Sequence, residues 1–176
     1  MEKIENLTQF LKTGCTGILT PALTLAQAIA ELGTPDGRTV HENIRSPLSE
    51  KQVTQNNLHY GALFLVFFAQ DLYQFNFETA NASILGLPHR LDASWYDDVR
   101  LWQPEQFREL LQTSRIESHG YRIDNDENGE EMIIAVPASK SYWFFINKKL
   151  YKVSWKWKRD DYIYFSSALS AKLLWS

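Results

Sequence analysis

The chain has 176 residues, 44% of them apolar and 22% charged, with a formal net charge of −3. That composition excludes a disordered chain, and the mild acidity gives no support to general nucleic-acid binding, which draws on a basic excess. Cys15 is the single cysteine, so no intramolecular disulfide can form, and a reducing, cytoplasmic setting is expected.

Ile4, Leu7, Phe10 and Leu11 recur at helical spacing and predict a short amphipathic helix over Glu2–Lys12. The same stretch mixes charges among its apolar residues, so no secretory signal is expected there. Thr24 is a good N-cap for a second helix, Leu25–Leu32, which stops at Gly33 before the turn residues Thr34-Pro35-Asp36-Gly37. Gly37 to Asn57 is polar and mixed in charge, and reads as a mobile surface loop with a short strand at Thr39–Ile44.

Tyr60–Phe77 then reads as a β-hairpin. Leu63–Phe68 is an unbroken apolar run, Ala69-Gln70-Asp71 has turn length, and Leu72–Phe77 alternates with Tyr73, Phe75 and Phe77 on one face. The run Leu63–Ala69 falls far short of a membrane span. A mixed connection from Glu78 to Leu101 follows, carrying the cluster Trp95-Tyr96-Asp97-Asp98. Pro104 opens a helix over Glu105–Gln112 with Phe107, Leu110 and Leu111 inward. Tyr121–Ile123 and Met132–Val136 read as strands around an acidic turn with the hairpin signal Asn128-Gly129. Tyr142–Ile146 and Leu150–Trp157 form a second major hairpin, Tyr162–Phe165 a further strand and Ala168–Trp175 a closing helix.

Laying Leu72-Tyr73 over Leu150-Tyr151, an offset of 78 residues, brings Phe64 onto Tyr142, Phe67 onto Phe145 and Phe77 onto Trp155. The same offset places Ile29 on Phe107 and Leu32 on Leu110. One gapless shift that aligns a helix and a hairpin predicts duplication of a helix-plus-hairpin unit. The expected fold class is therefore α+β. Two related helix-plus-antiparallel-β-hairpin units form a small sheet packed on helices, in one domain over 1–176 with halves of about 1–80 and 81–176.

A helix on one face of such a sheet leaves the other face to a partner. Tyr151, Val153, Trp155 and Trp157 are expected toward the helices, and Lys152, Ser154, Lys156 and Lys158 away from them. Gln74, Asn76 and Glu78 take the outward place in the first hairpin. Leu63–Phe68 and Tyr142–Ile146 are apolar on both faces, so the outward face should carry large apolar side chains beside polar ones. The acidic turn, with Asp126, Glu127 and Glu130, is an alternative docking element for a basic partner. Lys148–Arg159 interleaves aromatics with five lysines and an arginine. Strict alternation sends the tryptophans and the lysines to opposite faces, which favours an amphipathic strand over a nucleic-acid platform.

His41, His59, His89 and His119 show no ligand spacing, and one cysteine cannot complete a zinc site, so no metal and no cofactor are expected. Asp97-Asp98 and Asp160-Asp161 read as turn or capping pairs, and Cys15 as a small packed residue.

The residues Leu32, Gly33, Pro35, Tyr60, Gly61 and the hairpin to Glu78 resemble a pattern of small bacterial immunity proteins of polymorphic toxin systems. The tandem helix–hairpin layout is similar to the fold of the β-lactamase inhibitor protein and a related outer-membrane-assembly lipoprotein. That resemblance implies a concave, aromatic sheet face that grips a partner, although this chain lacks the disulfides of those proteins. The expected function is a non-enzymatic cytoplasmic inhibitor that blocks another protein, such as a toxin domain, by steric occlusion. Its candidate contacts are Gln74, Asn76, Trp143, Tyr151, Lys152 and Lys156. The alternatives are a small-molecule-binding protein or enzyme with a pocket between the sheets, and a single-stranded nucleic-acid binder.

Overall fold

The computed structural model describes residues 2–78, 87–88, 91, 93, 95–125, 129–156 and 172–175. Its helices are α1 (Glu2–Thr13), α2 (Leu25–Leu32), α3 (Tyr96–Val99) and α4 (Pro104–Thr113). Its strands are β1 (Gly37–Arg45), β2 (Gln52–Tyr60), β3 (Leu63–Phe68), β4 (Asp71–Glu78), β5 (His119–Asn125), β6 (Gly129–Val136), β7 (Ser141–Ile146), β8 (Lys149–Lys156) and β9 (Lys172–Trp175). The strands form one nine-stranded sheet in the order β1-β2-β3-β4-β8-β7-β6-β5-β9, antiparallel throughout. The α+β expectation holds, with the sheet as its larger part.

Local chemistry sets the helix ends. Thr24 and Gln27 satisfy each other's backbone: the Gln27 N–H donates to Thr24 Oγ1 at 3.2 Å, and the Thr24 N–H donates to Gln27 Oε1 at 2.9 Å. The Gln103 N–H donates likewise to Gln106 Oε1 at 2.9 Å, ahead of Pro104 at the first helical position. Gly14 ends α1 with φ +72° and donates its N–H to Phe10 O at 2.7 Å.

The helices cover one face of the sheet. Leu7, Phe10 and Leu11 of α1 and Phe107 and Leu111 of α4 are buried with Leu65, Phe67, Phe75, Phe77, Trp143, Phe145, Val153 and Trp155 from the strands. Each such side chain contributes roughly 1.5–3 kcal/mol when fully buried. Phe10 lies between β4 and β7, with its ring 6.1 Å from Phe75 and 6.2 Å from Trp143. Phe75 and Trp155 stack 5.0 Å apart across the central β4–β8 pair.

Several expectations are corrected. The polar stretch read as a mobile loop is the long β1–β2 hairpin, with the short strand expected at Thr39–Ile44 lying inside β1. β1 lacks the usual alternation because it is an exposed edge, with a bulge at Glu42–Asn43 and Asn43 at φ 57°. A bulge and charged side chains guard an edge against stray pairing. The chain end read as a helix is strand β9 over Lys172–Trp175, paired with β5; Trp157 and Tyr162–Phe165 lie outside the described residues. Ile4, counted in the apolar stripe of α1, is 51% exposed.

Tyr73 and Tyr151 are on the face opposite to that predicted. A bulge in the β3–β4 ladder falls between Val66 and Phe67, and one in the β7–β8 ladder between Phe144 and Phe145. Each places Leu72 or Leu150 inward and frees the following tyrosine from the alternation. Strict period-two reading cannot show such a slip.

Candidate partner-binding face

The outward face is built across the two central strands. The β4–β8 register sets Gln74 opposite Lys156, Asn76 opposite Ser154, and Glu78 opposite Lys152. Phe64 continues the Asn76 row into β3, and Tyr142 continues the Ser154 row into β7. Five predicted contacts, Gln74, Asn76, Tyr151, Lys152 and Lys156, therefore share one face. Trp143 does not. It is wholly buried on the helix side, 4.2 Å from the Phe107 ring, and its indole N–H donates to Ser141 Oγ at 2.9 Å. Of the acidic alternative, Asp126 and Glu127 lie outside the described residues, and Glu130 is on β6 opposite Asp124.

The face is less open than the sequence implied. Val66, Phe68, Tyr142 and Phe144 point outward as expected, yet each is at most 9% exposed. Asn76 and Ser154 are also buried. Gln55, Asn57, Phe64, Tyr73, Gln74, Tyr151, Lys152 and Lys156 are half-buried, and His59 is exposed with its ring 4.5 Å from Phe64. Amides are fixed along the strands: Gln55 Nε2 donates to Asn57 Oδ1, and Gln74 Nε2 to Asn76 Oδ1, each at 2.9 Å. Beyond β8, the outward face becomes apolar, with Ile123, Ile133, Ala135, Tyr142 and Phe144 packed beside Tyr121 and Tyr151. This cluster escaped the sequence reading because Ile123, Ile133 and Ala135 sit in strands whose facing could not be set without the register.

Tyr151 is the titratable group most affected here. Burial, then the Glu131 charge and its hydrogen bond, push its phenol up to about 12. The Tyr151 hydroxyl donates to Glu131 Oε1 at 3.4 Å. Both effects keep the phenol neutral and in place as an amphipathic contact.

The other chemically suggestive residues are scattered. His41 is on the exposed edge strand, His59 on β2 and His119 on β5 beside Glu117 at 3.3 Å, while His89 is outside the described residues. Among the described residues no group of His, Cys, Asp and Glu could hold a metal ion. Cys15 is half-buried, and its Sγ lies 3.7 Å from Thr13 O. Asp97 pairs with Arg100 at 3.6 Å and Asp98 with Lys3 at 3.3 Å. Tyr96 is buried, its pKa raised chiefly by desolvation. The strands form a single sheet, so a pocket between two sheets has no place among the described residues. No described helix is long and apolar enough to cross a membrane. No family model, curated protein or solved structure matches the chain.

Proposed function

We propose that this protein is a non-enzymatic cytoplasmic binding protein of the immunity type, which blocks another protein, such as a toxin domain, by steric occlusion. The observation that carries the reading is the convergence of Gln74, Asn76, Tyr151, Lys152 and Lys156 on one face of the adjacent strands β4 and β8. Half-buried amides, a neutral tyrosine and lysine stems over apolar neighbours are suited to protein recognition, where aromatic anchors and a polar rim divide the work. Trp143 leaves the contact set and supports the face from behind, and Asn76, buried on the outward side, positions the Gln74 amide and does not itself reach the partner.

The reading includes a doubled helix–meander unit. Both bulges recur at the 78-residue offset, Val66/Phe67 matching Phe144/Phe145, and β4 and β8 share the burial sequence from end to end. Asn76 lies opposite Ser154, its own equivalent at that offset, so a local two-fold axis would pass between them. Such an axis would put the outward residues of both halves side by side.

The test is capture of a partner from the native host with the full chain as bait, followed by assay of that partner's activity. The expected result is one protein whose activity is blocked by the wild type. Lys152→Glu and Lys156→Glu together should abolish the block while costing no more than about 1 kcal/mol of stability, a cost expected because Lys152 lies opposite Glu78. A block that survives both charge reversals, or turnover of a substrate by the isolated protein, would overturn the proposal.

A further inference from the structure

We propose that the cavity between α1 and α3 is a binding site for a free α-amino acid with an apolar side chain. The cavity lies on the helix side of the sheet, away from the partner-binding face, so it stands or falls independently of that reading. Its volume is about 230 Å³, and it is lined by Lys3, Ile4, Leu7, Trp95, Asp98, Val99 and Trp102. Its walls are apolar and largely fixed: Leu7, Trp95 and Val99 are buried, and the Trp95 indole N–H is held by Thr16 Oγ1 at 3.2 Å. Ile4, 51% exposed, and the neighbouring Leu101, 74% exposed, are two of the three exposed large apolar side chains among the described residues.

The charged groups of the lining are one ammonium and one carboxylate. Lys3 Nζ lies 3.3 Å from Asp98 Oδ2 and 3.5 Å from Oδ1. Both side chains are about half-exposed, at 51% and 55%. An exposed pair of this kind contributes little, so exchanging its partners for those of a ligand costs little. The two opposite charges sit within one hydrogen bond of each other. A ligand that satisfies both must carry adjacent opposite charges of its own. An α-amino acid does so: its carboxylate accepts from Lys3, its ammonium donates to Asp98, and its side chain enters the apolar wall. A peptide separates its two termini and cannot. The size agrees, since the cavity is smaller than the roughly 300–1,000 Å³ of sites for drug-sized ligands.

The test is titration of the full chain with L-leucine, followed by the indole N–H resonances of Trp95 and Trp102 and by calorimetry. Saturable shifts of both resonances are expected. Glycine, 4-methylpentanoate and 3-methylbutylamine, which lack the side chain, the ammonium and the carboxylate respectively, should each bind roughly tenfold more weakly or worse. Asp98→Asn should weaken leucine binding by a similar factor, and Ile4→Asp should abolish it, with unchanged unfolding midpoints. Absence of saturable shifts, equal binding of the three analogues, or full binding by Asp98→Asn would overturn the proposal.

Discussion

Trp143 separates a core role from a contact role most cleanly. Its side chain is fully buried among Phe10, Trp95 and Phe107, with ring centroids 6.2, 5.9 and 4.2 Å away. Trp143→Ala should therefore cost about 3–5 kcal/mol, the range for truncating a buried large aromatic. Trp143→Phe is the finer probe. It loses the bond to Ser141 Oγ, worth about 1 kcal/mol. It also leaves a void of about 40 Å³, worth about 1 kcal/mol at about 24 cal/mol per Å³. Ser141 keeps its bond to Ser139 Oγ at 2.6 Å, so no buried hydroxyl is orphaned and the total should stay near 2 kcal/mol. Urea unfolding followed by circular dichroism measures this, with the slope unchanged so that the midpoint carries the whole effect. Lys152→Ala, on the opposite face, should stay within about 0.5 kcal/mol of wild type. A Trp143→Ala variant as stable as Lys152→Ala would refute the assigned facing of β7.

Gly14→Ala should destabilise by about 2–4 kcal/mol in the same assay, combining a left-handed backbone with overpacking. Gly14 has φ +72°, and an added Cβ would lie 2.5 Å from Ser139 O, a backbone atom that cannot swing aside. Thr24→Ala should cost about 1 kcal/mol, because α2 loses the acceptor for the Gln27 N–H, and Thr24→Ser should restore it. The Tyr151 phenol, raised from 10.0 to about 12, stabilises the fold fully below the unfolded pKa. That contribution is lost as pH climbs through the folded pKa, so stability should fall between pH 10 and about 12. Tyr151→Phe should make the fall shallower, read by denaturant midpoints across that range; an equally steep fall would exclude Tyr151 as a source.

Helices were legible wherever composition and caps agreed. Leu25–Leu32 stands as expected because Thr24, Gln27 and Gly33 mark both of its ends. The strands of both apolar hairpins were legible too, since Leu63–Phe68 and Tyr142–Ile146 are too apolar and too short for anything else. What failed was facing and polarity. Tyr73 and Tyr151 read onto the wrong face because a bulge adds one residue without any local sign in composition. Only Thr39–Ile44 of the β1–β2 hairpin is legible, because the exposed strand β1 needs no apolar period and the pairing of β2 with β3 is the feature that orders the hairpin. Trp143 reads as a partner contact because β7 is apolar on both faces, so residue type cannot separate inside from outside.

The central strand pair explains why the candidate face is polar where the sheet is most deeply placed. On the helix side, Phe75 and Trp155 close the β4–β8 junction by stacking. That contact fixes the register, because a slip of one residue in either strand would carry that strand's ring to the other face and break the stack. With the register fixed, Gln74, Asn76, Ser154 and Lys156 must come together on the far side, whatever their own preferences. Asn76 and Ser154 are nearly inaccessible there, and the Asn76 side chain is held by Gln74. A buried amide with a partner adds little to net stability but penalises alternative pairings that would leave it unsatisfied. Asn76→Val should accordingly leave stability within about 1 kcal/mol of wild type while loosening the junction. The loosening would show as faster amide exchange in β4 and β8 than in β3 and β7. If exchange in the central pair stayed as slow as in the wild type, the amide would have no part in holding the register, and the aromatic stack alone would account for it.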